Sequence, residues 1–391
     1  MIFFKEEYLS RLAKVKKSMD QKNMDVIILT DPSNMHYLTG YDGWSFYVPQ
    51  GIIVALELDE PIWFGRRQDS KGAKVTTYLH DKNIIYYPED LIQSPPTHPY
   101  DFVSSFIHEN NWANKNIGVE MDAYYYTAEN HYRLTSTCPN VNFSDATLLV
   151  NWIRLIKSEN EINYMREGAK LVEAGMMTAY ENIKPGVKQS YVAGKIQNSL
   201  IGGNEEINIG GEYAGLTTIL ASGVSASASH LTPKDNLFNN NEGTIIELAG
   251  VKHRYHCPLS RTVYCGKPDS KISDTMKITN EGVEQAISTI KPGKTAHDVA
   301  VAFWSVLEKN GIEKDSRLGY AIGVGYPPDW GEHTMSIRKN DMTILQPNVT
   351  FHMIAGMWMD TWGLEVSESI NVTENGYELL THVPRDLHIV S

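Results

Sequence analysis

Cysteine is scarce: Cys138, Cys257 and Cys265 are the only three in 391 residues. That is too few for a disulfide framework, and a reducing, cytoplasmic setting is expected. Long apolar runs are missing too. No window approaches the roughly eighteen uninterrupted apolar residues that a membrane span needs. The opening MIFFKEEYLSRLAKVKKSM lacks the pattern of a secretory leader: charges recur at helical spacing and no small-residue cleavage site follows an apolar run. Positive charge is also short. Lys and Arg number 35 against 47 Asp and Glu, a formal net charge of −12, so a general nucleic-acid binder is not expected.

What is present is apolar content, 42% of the chain, enough for cores in two domains of ordinary size. The first part alternates helix and strand signals. Residues 5–22 form an amphipathic pattern, and DVIILT (25–30) is a short buried strand ended by Asp31-Pro32. GIIVALEL, PIWFG and NIGVEM read as strands, and 100–112 and 126–136 as helices. An α/β domain over 1–155 follows.

At the boundary, Ser158 and Glu161 make a capping box that opens a long helix and a second domain, 156–391. Here IKPG occurs twice, at 183–186 and 290–293, each time between two helical stretches. The Pro-Gly stops one helix, and Ser190 or Thr295 can cap the next. TTILAS, TIIELAGV, HRYHCPLSRTVYCG, TFHMIAGMW and GLEVSESINVT read as strands. The expectation is an α+β domain: an antiparallel sheet backed by helices, in two matching halves with a pocket between them.

Several residues are candidates for chemistry. Glu247 stands mid-strand between Ile246 and Leu248, where a carboxylate is costly unless used or paired. It is either catalytic or a structural acid bonded to a neighbouring strand or arginine. His230 ends the small-residue stretch ASGVSASASHL, as a surface residue or a substrate contact. His253, His256 and Cys257 invite a zinc reading, but 256 and 257 point to opposite strand faces, as do 253 and 256, and no second ligand pair follows. His256 is better taken as a pocket-lining group. The loop GVGYPPDWGEHT (323–334) offers Trp330, Glu332 and His333, although Pro327-Pro328 can equally just stiffen it. On or between the last two long strands lie Trp358, Asp360, Trp362, Glu365 and Glu368. Alternation puts Glu365 and Ser367 on one face and Glu368 on the other. Trp44, Phe46 and Tyr47 form an aromatic loop of the kind that marks an interface.

Taken in order, helix, IKPG, helix, SG…H, TIIELAG…RTV, GYAIG, PNVTF and EVSES…VTENGYELLT resemble the pita-bread family of methionine aminopeptidases, prolidases, aminopeptidase P and creatinase. The resemblance spans both domains. It implies a creatinase-like N-terminal domain and a pita-bread C-terminal domain with an internal pseudo-twofold repeat. In the metallopeptidase members two Asp, one His and two Glu hold two metals. Carried over one at a time, those positions fall on Glu247, Pro258, Tyr320, Ile354 and Ser367. One acid cannot hold a metal pair, so no metal or other cofactor is expected. The loop at 44–47 matches one that in creatinase reaches the partner subunit's site, which implies a homodimer. GYDGWSFYVPQ, FGRRQDSKGA, YHCPLSRTV, GIEKDSRLGY, YPPDWGEHTMS and WGLEVSES are similar to the branch of the family that opens the cyclic amidine ectoine. The function this implies is metal-independent hydrolysis of a small zwitterion, ectoine to N-acetyl-diaminobutyrate. Glu247, His230 and Glu365 would be catalytic. Trp44, Phe46, Tyr47, His256, Tyr320, Trp330, Glu332, His333, Trp358, Asp360 and Trp362 would contact substrate. A creatinase-like or Xaa-Pro peptidase-like activity and a non-catalytic binding module are the alternatives.

Overall fold

A computed structural model describes residues 1–203 and 207–391. The chain divides into two units, Met1–Arg154 and Leu155–Ser391.

In the first unit, helices and strands alternate as α1 (Lys5–Gln21), β1 (Val26–Leu29), α2 (Pro32–Thr39), β2 (Gly51–Ala55), β3 (Ile62–Arg66), α3 (Ser70–Thr76), β4 (Ile84–Tyr87), α4 (Pro99–Glu109), β5 (Asn116–Val119), α5 (Ala128–Thr137), β6 (Asn142–Asp145) and α6 (Leu149–Arg154). The sheet order is β4-β3-β2-β1-β5-β6. Strand β2 runs antiparallel to both neighbours and the remaining pairs are parallel. Asp31-Pro32 does more than end β1. The Asp31 carboxylate accepts from the Ser33 N–H at 2.8 Å, and Pro32 opens α2, a helix too short to show a period. In the aromatic loop Trp44 and Tyr47 are 59% and 66% exposed, while Phe46 packs between Trp44 and Tyr125.

The second unit opens with α7 (Glu159–Asn182), on which Ser158 and Glu161 form the expected capping box. It continues with α8 (Gln189–Gly202), β7 (Ile219–Ser222), β8 (Glu242–Lys252), β9 (Tyr255–Cys265), α9 (Ser270–Thr289), α10 (Ala296–Lys309), β10 (Gly319–Tyr326), β11 (Asp329–Ile337), β12 (Thr350–Trp358), β13 (Gly363–Val372), β14 (Tyr377–Leu379) and β15 (His388–Val390). Thr295 caps α10 with a full capping box. Ser190 does not cap α8. It lies one residue inside the helix, and its hydroxyl donates to Asp235 at 3.1 Å. The two helix pairs back a sheet of order β14-β13-β12-β10-β9-β8-β7, with β11 added on β10 and β15 on β9. The stretch DWGEHT is therefore a strand. Pro327-Pro328 is the turn of the β10–β11 hairpin, not a stiffener in a long loop.

Strands β9 and β13 are not neighbours in that order, yet polar groups join them directly. The Ser260 N–H donates to the Ser367 hydroxyl at 2.6 Å, and the Ser369 hydroxyl donates to the Pro258 carbonyl at 2.7 Å. Thr262 exchanges two bonds with the Glu365 backbone, at 2.8 and 2.9 Å. Fully buried Arg261 donates to Glu368 at 2.9 Å and to the carbonyls of Ser260, Ser367, Val383 and Pro384. On the other flank, α7 lies against β8 with Gly168 over Gly250. A Cβ built on Gly250 would overlap the Gly168 carbonyl, which is backbone and cannot rotate away. Gly250→Ala is expected to destabilise the protein by about 1–3 kcal/mol, the usual cost of overpacking. Urea unfolding checks this, with a lower midpoint and an unchanged m-value as the expected result.

Candidate active site

Strand β8 carries Glu247 between Ile219 of β7 and Ser260 of β9. Strand β13 carries Glu365, and the β9–β13 bonds turn its side chain toward the same space. That space is a cavity of about 160 Å³. It is small beside the roughly 300–1,000 Å³ of pockets for drug-sized ligands. Glu247, Glu365, Tyr320, Trp358, Arg317 and His230 line it, with Ile219, Ala221, Ile245 and Ile354 as apolar wall.

The two carboxyls are the electrostatic centre. Burial, then Glu365 and then Asp329, push Glu247 well above the usual carboxylate range. Burial pushes Glu365 up to about 7, although the Ser260 hydroxyl and Lys314 draw it back. Lys314 is itself lowered to about 8 by burial, opposed by Glu365. Its ammonium donates to the Gly356 carbonyl at 2.9 Å and lies 5.1 Å from the Trp358 ring centre. Arg317 stands at the exposed side, 4.6 Å over the Tyr320 ring, donating to the Ser336 hydroxyl at 3.0 Å. His230 is an exposed rim residue in the left-handed backbone region, with φ 65°.

Tyr320 is held from behind. Its hydroxyl accepts from the Trp330 indole N–H at 2.9 Å and lies 3.2 Å from Nδ1 of His352. His352 Nε2 meets the Ser367 hydroxyl at 2.7 Å. Burial, with Arg261 nearby, lowers His352 to about 3, so its ring is neutral. Burial, then Glu247, raise the Tyr320 hydroxyl well above its ordinary value.

Other expected contacts are elsewhere. His256 is fully buried, with Nε2 accepting from the Gly215 N–H at 2.8 Å and Nδ1 against the Arg254 carbonyl at 2.8 Å; it is a core histidine. Glu332, 0% exposed, is ion-paired to Lys157 at 2.7 Å and does not line the cavity. His333 is exposed on β11, its Nε2 2.8 Å from the Asp329 carboxylate, and is not among the residues lining the cavity. Asp360 is exposed in the β12–β13 turn, and Trp362 packs on the core beside Lys271. Trp330 is buried and meets the site through its bond to Tyr320. Trp44, Phe46 and Tyr47 belong to the first unit. His352, Lys314 and Arg317 were not singled out from the sequence. The signal for His352 was there, since alternation along TFHMIAG puts it on the face of Ile354.

The donor set does not fit a metal pair. Among the described residues no group of three or more His, Cys, Asp or Glu is placed to hold a metal. Beside the cavity, both nitrogens of His352 are already engaged.

The description of metallopeptidase family M24 matches residues 163–374, and that of the creatinase/prolidase N-terminal domain matches 11–156. The chain belongs to family M24. This M24 chain is a hydrolase, and its second unit is the pita-bread fold. It is similar to the ectoine hydrolase of Halomonas elongata, 43% identical over 99% of this chain and 98% of that one. It is also similar to an uncharacterized hydrolase/peptidase of Sinorhizobium fredii, 42% identical over 98% of each. A prolidase from Thermococcus sibiricus superposes with TM-score 0.85, covering 98% of this chain and 99% of that one, at 17% identity; it speaks for the fold alone.

Glu365 generates a pH test. Burial raises its pKa in the fold to about 7, against 4.5 for a free carboxyl. The fold thus binds the extra proton between those values, so on this account stability falls as pH rises through that window. Glu365→Gln should leave stability unchanged near pH 4. Above pH 7 it should raise it by roughly 1–3 kcal/mol, read from urea midpoints.

Proposed function

We propose that this hydrolase opens a cyclic amidinium carboxylate, ectoine, to an N-acetyl-diaminobutyrate, and does so without a metal. The observation that carries the reading is the pair Glu247 and Glu365, two buried acids facing one small cavity. Left alone, each raises the other's cost of ionising. A bound amidinium supplies the missing positive charge and draws both toward the carboxylate form. The faces of Trp358 and Tyr320 suit a delocalised cation, and Arg317 at the open side suits the substrate's carboxylate. The similarity to the Halomonas elongata enzyme supports the same substrate.

The chemistry explains why a metal is dispensable. A peptide carbonyl is a poor electrophile and gains from a Lewis acid. An amidinium already carries positive charge on the carbon to be attacked. Glu247 either takes a proton from an attacking water or adds to that carbon itself. Overall, amidinium plus water becomes amide plus ammonium, and both water protons end on the departing nitrogen. His230 at the rim and Glu365 are the further candidates for handling those protons.

Turnover is to be measured on ectoine, creatine and an Xaa-Pro dipeptide, before and after chelation. Ring opening of ectoine that survives chelation is expected; a peptidase activity lost with the metal would overturn the reading. Glu247→Gln should lower turnover on ectoine by at least about a hundredfold. The exposed Trp44 and Tyr47 also support a homodimer built through that loop. Light scattering should give twice the chain mass, and Trp44→Ala should weaken the association.

A further inference from the structure

The bonds behind Tyr320 have a direction that can be worked out atom by atom. The Ser260 backbone N–H can only donate, and it donates to the Ser367 oxygen. The Ser367 hydroxyl is buried and has one proton to place. Among the described residues its sole available acceptor is Nε2 of His352, at 2.7 Å. Nε2 therefore accepts. A neutral imidazole carries its one proton on the other nitrogen, so Nδ1–H donates to the Tyr320 oxygen, 3.2 Å away. The Trp330 indole N–H can only donate, and it donates to the same oxygen at 2.9 Å. Both lone pairs of the Tyr320 hydroxyl are then taken. Its own proton cannot point back into the protein network. No described residue accepts it, and Tyr320 lines the cavity beside Glu247.

The opposite tautomer fares worse. With the proton on Nε2, Tyr320 would donate to Nδ1 and the Ser367 proton would be stranded in the interior. An unsatisfied buried polar group costs about 1–3 kcal/mol. A Tyr320 proton facing the cavity costs nothing comparable, because water or substrate can accept it there.

The geometry points to Tyr320 as a catalytic hydrogen-bond donor to the water-derived oxygen as it gives up its last proton and becomes the amide carbonyl, with His352, Ser367 and Trp330 as the residues that aim it. It donates without surrendering its proton, and no bond is made or broken on it. Tyr320 and Ser367 stand at two of the positions assigned by resemblance to metal ligands in peptidase relatives. A fixed O–H dipole there is aimed at the negative charge that the water-derived oxygen gathers as the amine departs.

The catalytic half rests on the amidine-hydrolase reading; the direction of the bonds does not. Two measurements keep them apart. In the full-length wild-type protein with ¹⁵N-labelled histidine, the His352 signals are assigned by their loss in His352→Asn. They should report a neutral ring protonated on Nδ1. A ring protonated on Nε2, or an imidazolium, overturns the proposal whatever the activity. On ectoine, Tyr320→Phe should lower kcat by about a hundredfold or more with KM changed less than about threefold. His352→Asn keeps an amide donor near the Nδ1 position and should cost less than His352→Leu. A Tyr320→Phe enzyme within about threefold of wild type overturns the catalytic role. If the wild-type enzyme leaves ectoine intact, the substrate reading fails while the tautomer result still decides the orientation.

Discussion

The polar ladder between β9 and β13 is the constraint on which the catalytic unit depends. These strands are separated in the sheet by β10 and β12, and their cross-bonds help bring Glu365 to the cavity that Glu247 enters from β8. The ladder also explains Pro258. A proline inside a central strand normally removes a needed donor. In an antiparallel pair the N and O of one residue point to the same side. The Pro258 carbonyl accepts from Ser369, so its nitrogen also points toward β13, away from β8. On that side no backbone ladder runs. Among the described residues β9 pairs there with β10 only at Tyr255 and with β15 only from Val263. The missing N–H is therefore missing where none is required.

Buried acids in this unit fall into two kinds. Glu332 is matched by Lys157, and Glu368 by Arg261 with support from Thr381. Glu161 closes its capping box and accepts from the Tyr255 hydroxyl. Each is answered inside the protein. Glu247 and Glu365 instead share a cavity wall, and Lys314, which draws Glu365 down, is itself lowered by burial. Sites that bind charged ligands tend to carry such unmet electrostatics at some cost to stability. The arrangement is a stored attraction for a cation.

Much of the architecture was legible because local chemistry announces it. Ser158 with Glu161 is a capping box in the sequence and in the fold, and Thr295 caps its helix as expected. Alternation separated Glu365 and Ser367 from Glu368 along β13. The misreadings arise where a residue's partners are not visible in the local pattern. Glu332 looked like a pocket acid because its partner Lys157 lies 175 residues away and because β11, rich in polar residues, has the composition of a loop. His256 passed for a pocket ligand because its partner is a backbone N–H at Gly215, which no side-chain pattern reveals. His352 was overlooked in an apolar strand, where its role depends on Tyr320 and Ser367 arriving from two other strands.

The same distances bear on how the molecule comes to life. The rungs between β9 and β13 join residues 103 to 111 positions apart, whereas α7 and α8, or α9 and α10, meet through short turns. Contacts of long sequence separation carry a larger closure entropy and slow folding. The helix pairs can therefore assemble before the two acids share a wall. A chain caught halfway would carry recognisable helices and no such cavity. The cavity that both acids line is complete only when the two halves of the sheet have closed on one another, and its presence reports completion of the fold.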